Sequence, residues 1–426
     1  MSCRQVEVSC LRFGPSFAFA HFFFLQLRAI DIMLELSPED QEYCQDVTTQ
    51  LLDRTLFECE ELELDTTQPN CHARLDNRRW KKLQTHSDVT LYADRRPNAA
   101  WLPMMHRVDW EHPIAVVAVG DVNGSVDDVL LALLTPDVAT QRMRSVLKRR
   151  RPEVNCRHDP IVKPTSASPF QYLAVSRSVN AQHWPFTMFL GPREMVLARA
   201  TGEINSATGT RCGYEMVQSV ALRDTYAQSS SLPRSQMIQA RLFWEKPDGS
   251  VLIYNKFVVD VKKHLPDSVK QGILCRAIMD FWRFIPRSMD LKKLRWCMAN
   301  RKVLARELQR STQLLGCAGC GVITQKFMAE SAGEAEPGKQ CELCNLWLCG
   351  ASYCRSSCQL KMVCSSETKM YEQTVMVCPR CISLVRSQSA VNVARAELKE
   401  TSRHCGAITV ANWEQDVHVQ RHSYEY

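Results

Sequence analysis

The sequence predicts an α+β fold, a curved antiparallel sheet with a long C-terminal helix, followed by a small metal-stabilised finger. Three observations carry this. Segments of alternating apolar and polar residues recur between Trp80 and Asn300, the mark of strands. A stretch from Leu265 to Ile285 is apolar over more than half of a helical circumference. Three Cys-x2-Cys pairs then crowd between Cys317 and Cys381, which packing alone does not explain.

Residues 1–36 form a Phe-rich extension. Its uncharged run from Gly14 to Leu27 is shorter than the roughly 20 residues a spanning helix needs. Arg28 and Asp31 follow at once, with no small-x-small cleavage site. The segment is therefore expected to precede the folded chain, which begins near Met33, or to pack on it. Residues 37–77 read as an acidic helical lead-in. Ser37-Pro38-Glu39-Asp40 supplies a cap, a first-turn proline and acids against the helix dipole. Val47, Leu51, Leu52, Leu56 and Phe57 recur at helical spacing, and Glu58, Glu60, Glu61, Glu63 and Asp65 are expected to form a solvated end.

Residues 78–300 read as one domain. Asp88–Ala93, Ile114–Val122, Gln171–Val179 and Glu194–Ala200 have strand character. Gln239–Glu245 and Ser250–Val261 flank Pro247-Asp248-Gly249, a hairpin turn. Ser125 caps a helix from Val126 to Arg149 that Pro136 kinks or splits. Leu265-Pro266-Asp267-Ser268 opens the last helix, which is expected to stop at Pro286. A sheet closing over so broadly apolar a helix is one way to build a hollow interior.

These residues resemble a START lipid-binding domain of helix-grip fold. The resemblance lies in Trp80-Lys81-Lys82 before the Asp88–Tyr92 strand, in Val119-Gly120-Asp121-Val122 leading into Val126-Asp127-Asp128-Val129-Leu130, and in Leu265-Pro266. It implies that sheet and final helix enclose one lipid, with Leu274, Ile278, Phe281 and Trp282 as wall residues; ordinary core packing is the alternative for each. It also implies a buried Arg–Asp pair, for which Arg177, Arg193 and Arg223 with Asp224 are candidates.

Residues 301–314 read as a basic helical linker and 315–385 as the finger. The pairs Cys317/Cys320, Cys341/Cys344 and Cys378/Cys381, with two of Cys349, Cys354, Cys358 and Cys364, make eight sulfur ligands. That is enough for two closed tetrahedral zinc sites, which are structural because no position is left open. A disulfide framework is the alternative, but the scattered single cysteines elsewhere suit a reducing compartment. The module resembles a FYVE-type cross-brace finger in its cysteine steps and its closing Val377-Cys378-Pro379-Arg380-Cys381. That resemblance implies Cys317, Cys320, Cys349 and Cys354 on one zinc, and Cys341, Cys344, Cys378 and Cys381 on the other. Cys358 is the substitute for Cys354, and Cys364 is a spare thiol. Gly338-Lys339-Gln340-Cys341-Glu342 stands where phosphoinositide-reading members carry a run of arginines and histidines, so a structural or protein-binding finger is expected. A ubiquitin-ligase RING is the other cross-brace, but it usually has histidine ligands, and none lies between Cys317 and Cys381.

The net charge of +7 favours an acidic surface such as anionic lipid, and no nucleic-acid module is recognisable. Two basic runs, Arg142 to Arg151 and Arg283 to Arg306, are solvated helix faces or membrane contacts. Residues 386–426 read as a tail, disordered but for a short amphipathic helix. No catalytic motif emerges. The expectation is a non-enzyme, cytoplasmic and peripheral on endomembranes, that binds a lipid and meets a protein partner through its finger. The alternative is an adaptor with a filled core.

Overall fold

The computed structural model describes residues 36–62, 75, 78–86, 89–95, 110, 113–147, 154–180, 193–205, 209–222, 232–260, 266–302, 316–321, 339–349, 351–365 and 370–407. The Phe-rich extension, Arg223, Asp224 and most of the basic linker lie outside these residues.

Nine strands form one antiparallel sheet in the order β1-β2-β3-β9-β8-β7-β6-β5-β4. The first three are β1 (Trp80–His86), β2 (Val89–Asp94) and β3 (Ile114–Asn123). Helices α2 (Val126–Leu133) and α3 (Val138–Leu147) then carry the chain to the far edge. From there β4 (Val154–Val162), β5 (Tyr172–Asn180), β6 (Arg193–Asn205), β7 (Arg211–Ser219), β8 (Gln236–Glu245) and β9 (Ser250–Asp260) meander back, until β9 pairs with β3 along its length. Register shifts in the β1–β2 and β4–β5 pairs place irregularities at both edges, where they bend a sheet.

Local chemistry starts and stops these elements. Ser125 and Asp128 form a capping box at the head of α2, each side chain bonded to the other's backbone N–H at 3.2 Å. Pro136 falls between α2 and α3 and splits the predicted long helix in two. Gly249, at φ +78°, turns β8 into β9, and Asp248 Oδ1 accepts from the backbone N–H of Ser250 at 2.9 Å.

Helices cover both faces. Helix α1 (Pro38–Glu61) starts where Ser37 Oγ accepts from the N–H of Asp40 at 3.1 Å, and it lays Leu51, Leu52 and Cys59 on the outer face. Against expectation, Phe57 is 60 % exposed, and Glu58 is buried rather than solvated. Glu58 meets Lys256 of β9 at 2.9 Å and Arg79 at 2.9 Å, so an inward-facing lysine draws an acid into the interior. The inner face carries α2, part of α3 and the long helix α4 (Asp267–Ala299) in one apolar cluster.

Helix α4 differs from expectation in length. It runs through Pro286, where the missing N–H cannot bond the Trp282 carbonyl and an interior proline costs about 3 kcal/mol. Ser288, Met289, Leu291, Leu294 and Cys297 beyond it are all buried, and their packing outweighs that cost.

The C-terminal region also differs. The short amphipathic helix expected in the tail is the longer helix α7 (Ala390–Ala407). Ala390, Val393 and Ala394 join the inner-face cluster, and Glu397 pairs with Lys292 of α4 at 3.0 Å. A stripe this narrow holds a helix only where another surface receives it. Val393→Asp is therefore expected to destabilise the chain by about 3 kcal/mol. The exposed control Asn392→Asp should stay within about 0.5 kcal/mol; thermal or urea unfolding of the two variants checks this.

Candidate functional site: two four-sulfur centres and a charged interior

The finger is built from two short ladders and a helical turn. Strands β10 (Lys339–Gln340) and β11 (Trp347–Leu348) pair, as do β12 (Gln359–Ser365) and β13 (Met370–Met376). Helix α5 (Ser352–Ser357) precedes β12, and helix α6 (Pro379–Arg386) follows β13. These elements bring eight sulfurs into two groups. Cys317, Cys320, Cys349 and Cys354 form one and Cys341, Cys344, Cys378 and Cys381 the other, with the sulfurs of each within 4.8 Å of one another. The pairs alternate along the chain, first with third and second with fourth. Cys358 is buried beside the first group but outside it, and its Sγ lies 3.9 Å from Ser357 Oγ. The side chain of Cys364 is outside the described residues.

Spacing and donors suit a tetrahedral metal. Sulfurs about 2.3 Å from one ion sit about 3.8 Å apart along the tetrahedron's edges. Observed separations are 3.9 Å for Cys317–Cys354, 3.6 Å for Cys320–Cys349 and 3.8 Å for Cys344–Cys378. Backbone N–H groups also point at the sulfurs, as thiolates require. Cys317 Sγ accepts from Gly319 at 3.3 Å and from Cys349 at 3.1 Å, and Cys341 Sγ accepts from Cys378 at 3.3 Å. Burial pushes the Cys317 thiol up, but backbone donors from Cys349, Cys320 and Gly319 outweigh it and bring it down to about 7. Donation from Cys344, then from Cys378 and Cys381, holds Cys341 far below an ordinary thiol.

The finger does not hang free. Leu294 and Cys297 of α4 lie in its core among the cysteines, Val377 and Val385. Arg287 of α4 pairs with Glu372 of β13, and Arg386 of α6 reaches Asp290 at 2.9 Å. Lys293 reaches Asp128 at 2.6 Å and donates to the Arg386 carbonyl at 2.8 Å. Much of the second basic run is thus consumed in joining α4 to its neighbours rather than solvated; Arg283 stays exposed.

The proposed wall residues Leu274, Ile278, Phe281 and Trp282 are all buried between α4 and the sheet. Phe281 and Trp282 meet edge to face at 5.4 Å. Facing them is a row of polar residues that sequence reasoning missed. Cross-strand register aligns Glu215 of β7, Arg241 of β8 and Asn255 of β9. The Arg241 guanidinium pairs with Glu215 and lies 3.8 Å over the Phe281 ring. Arg144 of α3, expected on a solvated face, is buried instead: it reaches Glu215 at 3.3 Å and stacks 5.2 Å over Phe284. A small cavity beside it is bordered by Thr135, Thr140, Arg144, Ser288 and Lys292. The available signal was a charge at an inward-alternating position of a strand, as Arg241 in Ala240-Arg241-Leu242-Phe243.

The candidates for a buried Arg–Asp pair resolve differently. Arg177 pairs with Glu194, not an aspartate, and Glu194 also meets Arg234 at 3.1 Å. This pair belongs to the outer face, since the alternating strand neighbours Val175 and Val196 pack with Cys44 and Val47 of α1.

Metal content is expected to be two ions per chain by elemental analysis. Cys381→Ser should remove at least one, because a three-sulfur centre is left open. Cys358→Ser should retain both.

No family model matches the sequence, and no curated protein matches it. Among solved structures, the chain is similar to human StAR-related lipid transfer protein 5, at 13 % identity and a TM-score of 0.39 over 58 % of this chain and 97 % of that one. It is also similar to human STARD10, at 12 % identity and a TM-score of 0.35 over 61 % and 84 %. A third is the human StarD13 (DLC2) lipid transfer and protein localization domain, at 14 % identity and a TM-score of 0.33 over 49 % and 88 %.

Proposed function

We propose that this chain is a lipid-binding protein that holds one hydrophobic lipid between the inner face of the sheet and α4. The observation that carries this is the polar row in that otherwise apolar interior. Both amide atoms of Asn255, Nε of Arg241 and the Trp282 indole N–H are buried without a hydrogen-bond partner. Natural interiors pair nearly all such atoms, so a cluster of exceptions asks for a partner from outside the fold. The START resemblance of the sequence points the same way, and we assign the chain no reaction.

We further propose that the two four-sulfur centres each hold zinc, which accepts four thiolates without redox chemistry. With both sites closed the metal is structural, and the FYVE-like finger braces α4 while offering a surface to a protein partner. Thiolate ligands suit a reducing compartment, which supports a cytoplasmic protein that meets anionic endomembranes to load and release its lipid. Among the described residues no helix is long and apolar enough to cross a membrane.

Native mass spectrometry of the chain after incubation with a membrane extract tests both parts. The expected mass excess is two zinc ions and one lipid, with the lipid surviving mild activation. Zinc without lipid would sink the carrier reading and leave an adaptor.

A further inference from the structure

The inner face of the sheet gathers more positive charge than it neutralises. Glu215 is fully buried, and three guanidiniums converge on its carboxylate: Arg241, Arg144 at 3.3 Å and Arg199 of β6 at 3.8 Å. Among the described residues Glu215 is the one carboxylate these three cations meet, which leaves a surplus of two. The side chains of Arg144 and Arg241 are only 7 % and 4 % exposed, so water screens neither well. Arginine does not escape this cost by losing its proton. Burial, then repulsion from Arg199, pushes Arg144 down to about 9, and burial pushes Arg241 down to about 10, so both remain charged at neutral pH.

Donor capacity is left over as well as charge. Nε and Nη1 of Arg144 and Nε of Arg241 are buried with no hydrogen-bond partner among the described residues. Asn255, directly across the ladder from Arg241, adds an unbonded donor and an unbonded acceptor. Around them the interior is apolar: Phe281 and Phe284 lie under the two guanidiniums, and Ile253 and Phe257 flank Asn255 along β9. A neutral hydroxyl would satisfy one of these atoms but bring no charge. An oxyanion would supply both the missing charge and several acceptor lone pairs.

We propose that Arg144, Arg241 and Asn255 form an internal seat for a single oxyanion, a carboxylate or a phosphate, at the head of an otherwise apolar lipid. This rests on the lipid-binding reading and deepens it: the ligand is an anionic amphiphile taken head-inward, not a neutral sterol or glyceride. Glu215 acts as a positioning residue. It aligns the guanidiniums through one face of each and leaves their remaining N–H groups for the ligand.

The test uses the full zinc-loaded chain and three amphiphiles with the same oleoyl chain: oleate, oleoyl lysophosphatidate and monooleoylglycerol. Calorimetric titration should show one site for an anionic probe, bound at least about tenfold more tightly than the glyceride. Whichever anion binds more tightly identifies the oxyanion. Arg241→Gln and Arg144→Gln should each weaken the anion far more than the glyceride, bringing the two affinities close together. Arg241→Lys, which keeps the charge, should recover part of the preference. Both glutamine variants leave Glu215 paired with two arginines, and circular dichroism verifies their fold. Equal binding of anion and glyceride by the native chain would overturn the charge assignment but leave a lipid carrier standing. Binding of none of the three, nor of any lipid from a membrane extract, would remove the lipid-binding reading itself.

Discussion

Helix α4 has to satisfy two cores at once, and the rest of the molecule is arranged around that constraint. Its first half presses Leu274, Ile278, Phe281 and Ile285 against the sheet. Its last turns place Leu294 and Cys297 among the cysteines of the finger. An interior proline would ordinarily end such a helix, and both bodies of packing carry it on past Pro286. Helix α4 therefore packs on the sheet domain and on the finger alike. Ion pairs from Arg287, Lys292 and Lys293 to three different elements reinforce it. Disturbance of the two sulfur groups would consequently reach the helix that closes over the sheet.

Buried charge is matched in one part of the sheet and unevenly shared in others. On the outer face Lys256 and Arg79 share Glu58, and Arg79 also approaches Asp94 at 3.7 Å, so two cations meet two carboxylates. That arrangement is balanced, as a buried network must be if it is to hold a fold together. On the inner face, among the described residues, three cations meet the single carboxylate of Glu215. Elsewhere on the outer face Arg177 and Arg234 share Glu194, so it is the number of guanidiniums on a single carboxylate that sets the Glu215 cluster apart. The finger is complete in another way, because four sulfurs close each centre and leave no position for a substrate.

Much of this was legible in the chain. Strand alternation, the Pro136 split, the Asp248-Gly249 turn and the cysteine steps act over a few residues, and local chemistry decides them. What misled were residues whose environment is set from far away. Glu58 looks like one acid in a solvated run, yet Lys256 waits almost two hundred positions later. Arg144 looks like part of a basic surface, yet it turns toward Glu215. Residues 390–407 show a short amphipathic pattern, but nothing near them in sequence announces that α2 and α4 will receive Val393 and hold a helix through Ala407.

By itself, then, the sequence determined the α+β class, the antiparallel strands, the broad apolar helix and a finger rich in paired thiols, because periodicity and short spacing are properties of neighbouring residues. Only the tertiary structure decided that α4 outlasts its proline, that α7 docks, that Cys354 rather than Cys358 completes the first sulfur group, and that three arginines meet one glutamate inside. Each of those outcomes depends on which distant groups share a desolvated space, where Coulomb and packing energies are largest and local pattern carries no record of the partner.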